Sequence, residues 1–456
     1  MKIRSAQPYI ILVLFLHILI SAQEPPVEIP YHFFRMKNGL QVFLKTKPGI
    51  PLVNMVLAVN IGSKDESNSE SGLVHLIEHL LMFSGTESHT CHELIQLWRQ
   101  KGCYVNAHTD HDLMTLELSC PVRQAEYCLP LLKEKIFKLK PQTKDLLKEK
   151  QIIAEEIIQM QDDVFQQGTN RVLNLLFPDH PYANPIYGRA SVVKNARLDQ
   201  IQAIYNRYFR PSNCSLAVVG DFDLNEMENY INLTFADLKP PAIPCPTLAK
   251  AKPLTRNRDE TMEMDIEQAM LIIGFPAPEF NHKDQFALSV LGHILGKGPN
   301  PLLGSAIRSR KKLSASFSSR YIKLKYTGAF LVYLRTDPKK VKLLKRQVIK
   351  FLNRTNTFRY TKTDFLKKYQ HQVIDYLESA RNDIKLSAEK FKERGINSAV
   401  SFSRFMLLRN PGKQIDFQQE MQNVSASDLR RVASKYLCGK SHATVYILPL
   451  KKNERP

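Results

Sequence analysis

The chain closes two long stretches in the same way. Leu198, Ile201, Ile204, Tyr208 and Phe209 recur at helical spacing, Arg210-Pro211-Ser212-Asn213 breaks the helix, and Leu216-Ala217-Val218-Val219-Gly220 follows as a continuous apolar strand. Leu429, Val432, Tyr436 and Leu437 repeat that rhythm, Gly439 marks the stop, and Val445-Tyr446-Ile447-Leu448 supplies the strand. Ile201, Ile204 and Tyr208 map onto Leu429, Val432 and Tyr436 at a constant offset of 228 residues. Each match ends a stretch of about 200 residues, which is the mark of an internal duplication. Between the two lies Lys239 to Leu254, where Pro240, Pro241, Pro244, Pro246 and Pro253 keep the chain extended. The expected division is a leader at 1–22, a first domain at 30–238, a linker at 239–257 and a homologous second domain at 258–450.

Both halves mix strands and helices. In the first, Asn38-Gly39 is a turn signal ahead of Leu40–Leu44, and Leu52–Ile61 is a second β-prone run, so these two are expected to be neighbouring strands. Helices are expected over 71–83, 91–101, 126–138 and from 144 to about 162 and onward to 176, with an alternating strand at 113–119. In the second half, strands are expected at 268–275, 320–325 and 329–335, and helices at 284–295, 338–353 and 362–383. Elements in this order predict an α+β fold: two homologous sandwich domains with mainly antiparallel sheets, covered by helices on one face.

Met1-Lys2-Ile3-Arg4 is a basic start, Tyr9 to Ile20 is apolar apart from His17, and Ser21-Ala22 precedes Gln23. This is the layout of a secretory signal with a cleavage site, and the apolar run is short against the ~20 residues a spanning helix needs. Export is expected, to a bacterial periplasm, with no stable membrane span after cleavage. The net charge of +20 favours anionic surfaces, acidic peptides or an acidic partner. The basic residues are spread over 133–150, 308–312 and 338–359 with no finger spacing and no aromatic platform, so nucleic acid is not an expected partner. Seven Cys without a CxxC pair exclude a redox dithiol, a zinc knuckle and a disulfide-built scaffold. Cys120 with Cys128 is a candidate bridge in an exported chain; buried free thiols are the other reading.

The sharpest chemistry lies in His75-Leu76-Ile77-Glu78-His79. Residues four apart share a helix face, so His75 and His79 can offer imidazoles to one metal ion, with Glu78 facing the same space. Zinc takes such nitrogen ligands together with a third ligand and an open water position. Its bound water ionises more easily, and a carboxylate that is near but not ligating can take the proton, the role expected of Glu78. The spacing is that of an inverted zincin motif. The third ligand must come from elsewhere. Glu149, Glu155 and Glu156 are candidates; Glu149 and Glu156 lie two helical turns apart on one face, whereas Glu155 points about 100° away. The pattern favours that pair, one as ligand and one as its support.

Around this motif the chain resembles the pitrilysin/mitochondrial-processing-peptidase family of M16-type zinc metallopeptidases. Gly62-Ser63-Lys64-Asp65-Glu66, Ser71-Gly72-Leu73-Val74-His75 and Phe83-Ser84-Gly85-Thr86 carry the resemblance, which extends over residues 30–450. It implies a LuxS/mitochondrial-processing-peptidase-like metallohydrolase fold. It also implies one Zn2+ per chain, held by His75, His79 and Glu156 as the third ligand, with Glu149 as the supporting acid. Gly102-Cys103-Tyr104-Val105-Asn106-Ala107-His108-Thr109 resembles the strand that lies beside bound substrate, which places Asn106 and Ala107 at the cleft; His108 and His111 receive no ligand role. Tyr208–Asn213 with Leu216–Asp223 resembles a structural closing block. Ile273-Gly274-Phe275-Pro276 and the helix at 284–295 keep the family outline without His-x-x-Glu-His, so the second half is expected to bind no metal.

The family commonly carries a Gly-Leu-Ala-Tyr-like segment in its second half. Here it reads Lys312-Leu313-Ser314-Ala315, and the tyrosine that helps polarise the scissile carbonyl is absent. Some members divide the labour between a zinc-bearing chain and a companion with the Arg and Tyr. The resemblance therefore implies a zinc endopeptidase acting on peptides or unfolded segments, with a zinc-bound water as nucleophile and Glu78 as general base. It also implies pairing, as a homodimer or as a heterodimer with such a companion. The alternative it carries is a catalytically weak or inactive structural, chaperone-like subunit of the same fold.

Overall fold

The computed structural model describes residues 31–239, 246–252, 254–297, 301–304, 313, 316–354, 365–408 and 417–450. The expected leader at 1–22, and Lys312, Ser314 and Ala315, lie outside the described residues. Among the described residues, no helix is long and apolar enough to cross a membrane.

The first sheet is built from β1 (Tyr31–Arg35), β2 (Gln41–Thr46), β3 (Leu52–Val59), β4 (Tyr104–Thr109), β5 (Met114–Pro121) and β6 (Cys214–Gly220) in the order β1-β2-β6-β3-β5-β4. The second contains β7 (Arg258–Met264), β8 (Ala269–Ala277), β9 (Ser316–Lys323), β10 (Gly328–Thr336) and β11 (Ala443–Pro449) in the order β7-β11-β8-β10-β9. With β1 set aside, the two orders coincide. In each, the last strand of the half slips in beside the first as the one parallel pair, β6 on β2 and β11 on β7, and every other pairing is antiparallel.

That insertion corrects one expectation. β2 and β3 are not neighbours, because β6 lies between them, paired in parallel to one and antiparallel to the other. All seven residues of β6 are buried. A strand apolar on both faces needs a central position with both faces covered, and a chain end returning from a distance can take it.

The helices lie over these sheets: α1 (Leu73–Phe83), α2 (Cys91–Gln100), α3 (Ala125–Phe137), α4 (Thr143–Gln161), α5 (Val164–Leu176), α6 (Leu198–Tyr208) and α7 (Leu224–Phe235) come from the first half. From the second come α8 (Gln285–Gly296), α9 (Val341–Arg354), α10 (Phe365–Glu393), α11 (Gly395–Leu408) and α12 (Ala426–Tyr436). α6 and α12 are the two helices of the duplicated ending. Side chains of β3 and β6 alternate between two cores, as the period of a strand requires. Val53, Met55, Leu57, Leu216 and Val218 face the large core beneath α1, α3 and α4, while Val56, Ala217 and Val219 face the opposite side.

The covering of that opposite side was not expected. It is α11, from the second half, that closes it with Ala399 and Met406, helped by Ile396, Val400 and Phe402. The second sheet is treated in kind: Leu271, Ile273 and Phe275 face α8, α9 and α12, whereas Met270, Ile272, Val445 and Ile447 face Val172, Leu173 and Leu176 of α5 from the first half. Each sheet is thus sandwiched between its own helices and one lent by the other half. The approach of α5 is close: a Cβ added at Gly168 would stand 2.3 Å from the Ile272 Cδ1 and 2.8 Å from the Ile447 Cδ1. Polar ties reinforce the exchange. Both guanidinium Nη atoms of Arg404 donate to Asp110 Oδ2 at 2.6 and 2.7 Å, and Asp112 accepts from the Tyr182 hydroxyl at 2.6 Å and the Lys325 N–H at 3.1 Å.

The described cysteines, Cys91, Cys103, Cys120, Cys128, Cys214 and Cys438, are free thiols, so Cys120 and Cys128 are not bridged.

Candidate metal centre

α1 begins at Gly72, whose φ of +98° is a left-handed backbone that side chains avoid. The buried Glu66 carboxylate caps this start, accepting from the Gly72 N–H at 3.0 Å and the Val74 N–H at 2.7 Å. Burial pushes the Glu66 carboxyl up to about 8, against the pull of those two donors. Leu73, Val74, Leu76, Ile77, Leu80 and Leu81 sink into the core and fix the rotation of the helix. His75, Glu78 and His79 are left on the face turned toward α4 and β4.

α4 is oriented by Leu146, Ile153 and Ile157, buried against the same core. Seven residues apart, Glu149 and Glu156 then share the face toward α1, while Glu155 is exposed on another. The two acids stand at different depths. Glu149 is buried and its Oε2 lies 3.1 Å from His79 Nδ1. Glu156 is partly exposed, and its Oε2 lies 3.4 Å from His79 Nε2 and 3.8 Å from His75 Nε2. Glu149 Oε2 is placed to accept an Nδ1–H from His79, the tautomer that leaves Nε2, on the Glu156 side, free to ligate a metal. The two imidazoles meet edge to face at 4.8 Å between centroids.

His75, His79 and Glu156 each offer one donor atom, all within 4.8 Å of one another. A tetrahedral zinc with bonds of ~2.1 Å spaces its donors ~3.4 Å apart, and the separations of 3.4 and 3.8 Å from Glu156 to the two imidazoles suit that ion. Two imidazoles and a carboxylate are its donor chemistry. Burial holds His75 down to about 4, with His79 and His108 adding to the effect, so its ring is neutral and free to ligate at physiological pH. His75 Nδ1 is buried without a hydrogen-bond partner, unlike the supported ring of His79. The residues present fit the metal.

Glu78 stands one residue before His79, partly buried. Burial pushes its carboxyl above the usual range, opposed by Thr109, His108 and His79. It therefore lies against β4, the edge strand of the first sheet. On β4, Asn106 is exposed, but the Ala107 side chain is buried in the core. Ala107 can thus meet a ligand only through its main chain. His108, given no role from sequence, is exposed on the Asn106 face and its charge acts on both His75 and Glu78. The alternation of Tyr104, Asn106 and His108 along one strand face was the signal available for it. His111 turns inward instead, its Nδ1 2.8 Å from the Ser63 hydroxyl.

Comparisons with known proteins agree with this architecture. The family profile described as "Insulinase (Peptidase family M16)" matches residues 41–190, and the one described as "Peptidase M16 inactive domain" matches residues 195–372. The chain is 25% identical to the "Zinc protease PqqE" of Helicobacter pylori over 422 residues, 91% of this chain and 92% of that one. It is 23% identical over 409 residues to an "Uncharacterized zinc protease" of Rickettsia felis, 89% of this chain and 94% of that one. Among solved structures, a protease from Helicobacter pylori superposes with a TM-score of 0.82 at 24% identity, covering 92% of this chain and all (100%) of that one. A peptidase M16 inactive domain from Pseudomonas fluorescens superposes with a TM-score of 0.80 at 18% identity, covering 94% and 100%.

Proposed function

Because this chain belongs to the M16 peptidase family, we propose that it is a zinc-dependent endopeptidase that hydrolyses peptides or unfolded segments. The observation that carries the reading is the convergence of His75 Nε2, His79 Nε2 and the Glu156 carboxylate, with Glu78 on the same helix turn.

His75, His79 and Glu156 would hold the ion, one per chain. Zinc bound there supplies Lewis acidity, which eases the ionisation of water and polarises a peptide carbonyl. Glu78 takes the proton from the attacking water and returns it to the departing amine. Its raised proton affinity suits both halves of that task. Glu149 keeps the His79 ring aimed. The free edge of β4 receives the peptide as an added strand through main-chain hydrogen bonds, beside Asn106 and the backbone of Ala107. An extended segment can pair this way and a folded one cannot. The basic leader and short apolar run support export to a periplasm. The missing second-half tyrosine supports pairing with a companion chain that carries the Arg and Tyr; in a homodimer the carbonyl would be polarised more weakly or by another residue.

A second reading is a structural subunit with weak or no catalysis. The inactive-domain match at 195–372 and Lys312-Leu313-Ser314-Ala315 without tyrosine favour it. One preparation decides between them: zinc content and peptide cleavage are measured together, with and without any co-purifying chain. The peptidase reading expects about one zinc per chain and cleavage that Glu78→Gln abolishes while keeping the metal. Metal-free protein, or bound zinc with no cleavage even beside the partner, selects the structural subunit.

A further inference from the structure

A second group of metal-ligating side chains stands apart from the histidines. Cys103, Cys120 and Cys128 bring their sulfurs within 4.8 Å of one another, and Cys103 Sγ lies 3.3 Å from Cys128 Sγ. Three independent features of the fold assemble them. Tyr104 pairs with Ser119 across β4 and β5, so Cys103 and Cys120 fall opposite each other one step further along the same ladder. The left-handed Gly102, φ +67°, turns the chain out of α2 into that position, and the Cys103 N–H donates to the Trp98 carbonyl at 2.9 Å. The chain then reverses after β5, and α3 lays Cys128 over the pair. Cys120 and Cys128 are buried in the large core and Cys103 is partly exposed, so the cluster opens to solvent on one side.

We propose that these three thiols form a binding site for a soft, thiophilic metal ion of the cuprous type. Sulfur donors select such ions over hard cations. Structural zinc sites are almost always four-coordinate, and no fourth His, Cys, Asp or Glu joins this group among the described residues, whereas a monovalent d10 ion is satisfied by three sulfurs. With metal–sulfur bonds of ~2.3 Å, three-coordinate geometry holds the sulfurs ~4 Å apart, within the span observed. Each bond formed releases a thiol proton to solvent and transfers no electron. The Lys101 ammonium, 4.3 Å above the Tyr127 ring, places positive charge beside the excess negative charge of the occupied site. The cluster is distinct from the histidine centre: six strand residues, about 20 Å, separate Cys103 from Thr109 beside Glu78.

The full chain, reduced, anaerobic and supplied with one equivalent of zinc, is titrated with Cu(I) against a chromogenic copper chelator. The expected result is one tightly held Cu(I) with an ultraviolet thiolate-to-copper band and a raised Tm. Cys103→Ser should weaken that copper at least about tenfold and remove the thermal shift. Cys438→Ser, which alters a thiol outside the cluster, should change neither. Unchanged copper affinity in Cys103→Ser overturns the site, and so does an intact mass lighter by two hydrogens in a peptide joining Cys103 to Cys128 or Cys120. Zinc competing for the thiols as strongly as copper overturns the choice of ion.

Discussion

Replacing Glu149 by Gln tests the proposed metal centre without touching a proposed ligand. The side chain is 1% exposed, and its Oε2 lies 3.1 Å from His79 Nδ1. Gln keeps the volume and can still accept the Nδ1–H through its amide oxygen, so the ring stays roughly in place. Two things are lost. The negative charge that raises the basicity of Nε2 disappears, and the amide NH2 takes the position of Oε1, 3.8 Å from the Lys148 ammonium, where a donor is unwelcome. Losing a partner of this kind behind a ligating histidine costs about 10- to 100-fold in metal affinity, or about 1.4 to 2.7 kcal/mol. Zinc affinity measured by competition with a chelator should fall in that range for Glu149→Gln and further for Glu149→Ala, which also leaves a cavity, while the far-ultraviolet circular dichroism stays unchanged. Peptide cleavage at saturating zinc should recover in Glu149→Gln. Wild-type zinc affinity in both variants would refute the assignment of Glu149 as the group that aims His79.

Three further outcomes follow from the packing and the charges. Gly168→Val should overpack the contact between α5 and the second sheet, given the 2.3 Å approach to Ile272, and destabilise by about 1–3 kcal/mol in chemical denaturation. Asp284 is buried; burial would raise its carboxyl, but Tyr436, Arg431 and Lys435 hold it well below the usual range. A depressed carboxylate contributes stability above its unfolded pKa of about 3.9, lost as pH falls through the folded value. Asp284→Asn should therefore be less stable than wild type near neutrality, with the gap beginning to narrow below about pH 4 and closing only below the depressed folded value, as thermal melts across pH would record. Glu156→Gln, which keeps shape but removes the ligand charge, should lose zinc more completely than Glu149→Gln, measured as metal content after dialysis.

The duplication was legible because its strongest strands are apolar on both faces and its closing helices keep their period; α6 and α12 stand at the offset the residues gave. Strand neighbourhood was less legible. A run such as Leu40–Leu44 carries its β propensity locally, but its partner is decided by a segment more than 170 residues away, Leu216 facing Val42. α11 escaped notice for a related reason. Gly-Ile-Asn-Ser-Ala-Val-Ser-Phe-Ser-Arg has small and β-branched residues where a free amphipathic helix would show long apolar ones, because it lies flat on a sheet at close range. At the centre, His75, Glu78 and His79 share one helix and could be read from spacing alone. Glu156 required a second helix to be laid beside the first, and heptad spacing gave only the pair, not which member faces the imidazoles. His108 could be placed on the Asn106 face by strand alternation, but nothing local to β4 says that His75 and Glu78 lie close enough to feel its charge.

The loan of α5 and α11 between the sheets decides where this molecule can hinge. Prising the halves apart would strip an apolar face from both sheets at once and tear Arg404 from Asp110 and Lys325 from Asp112. Separation of the halves is therefore opposed at both sheets at once. A severed Pro-rich connector should consequently leave the two halves still clasped.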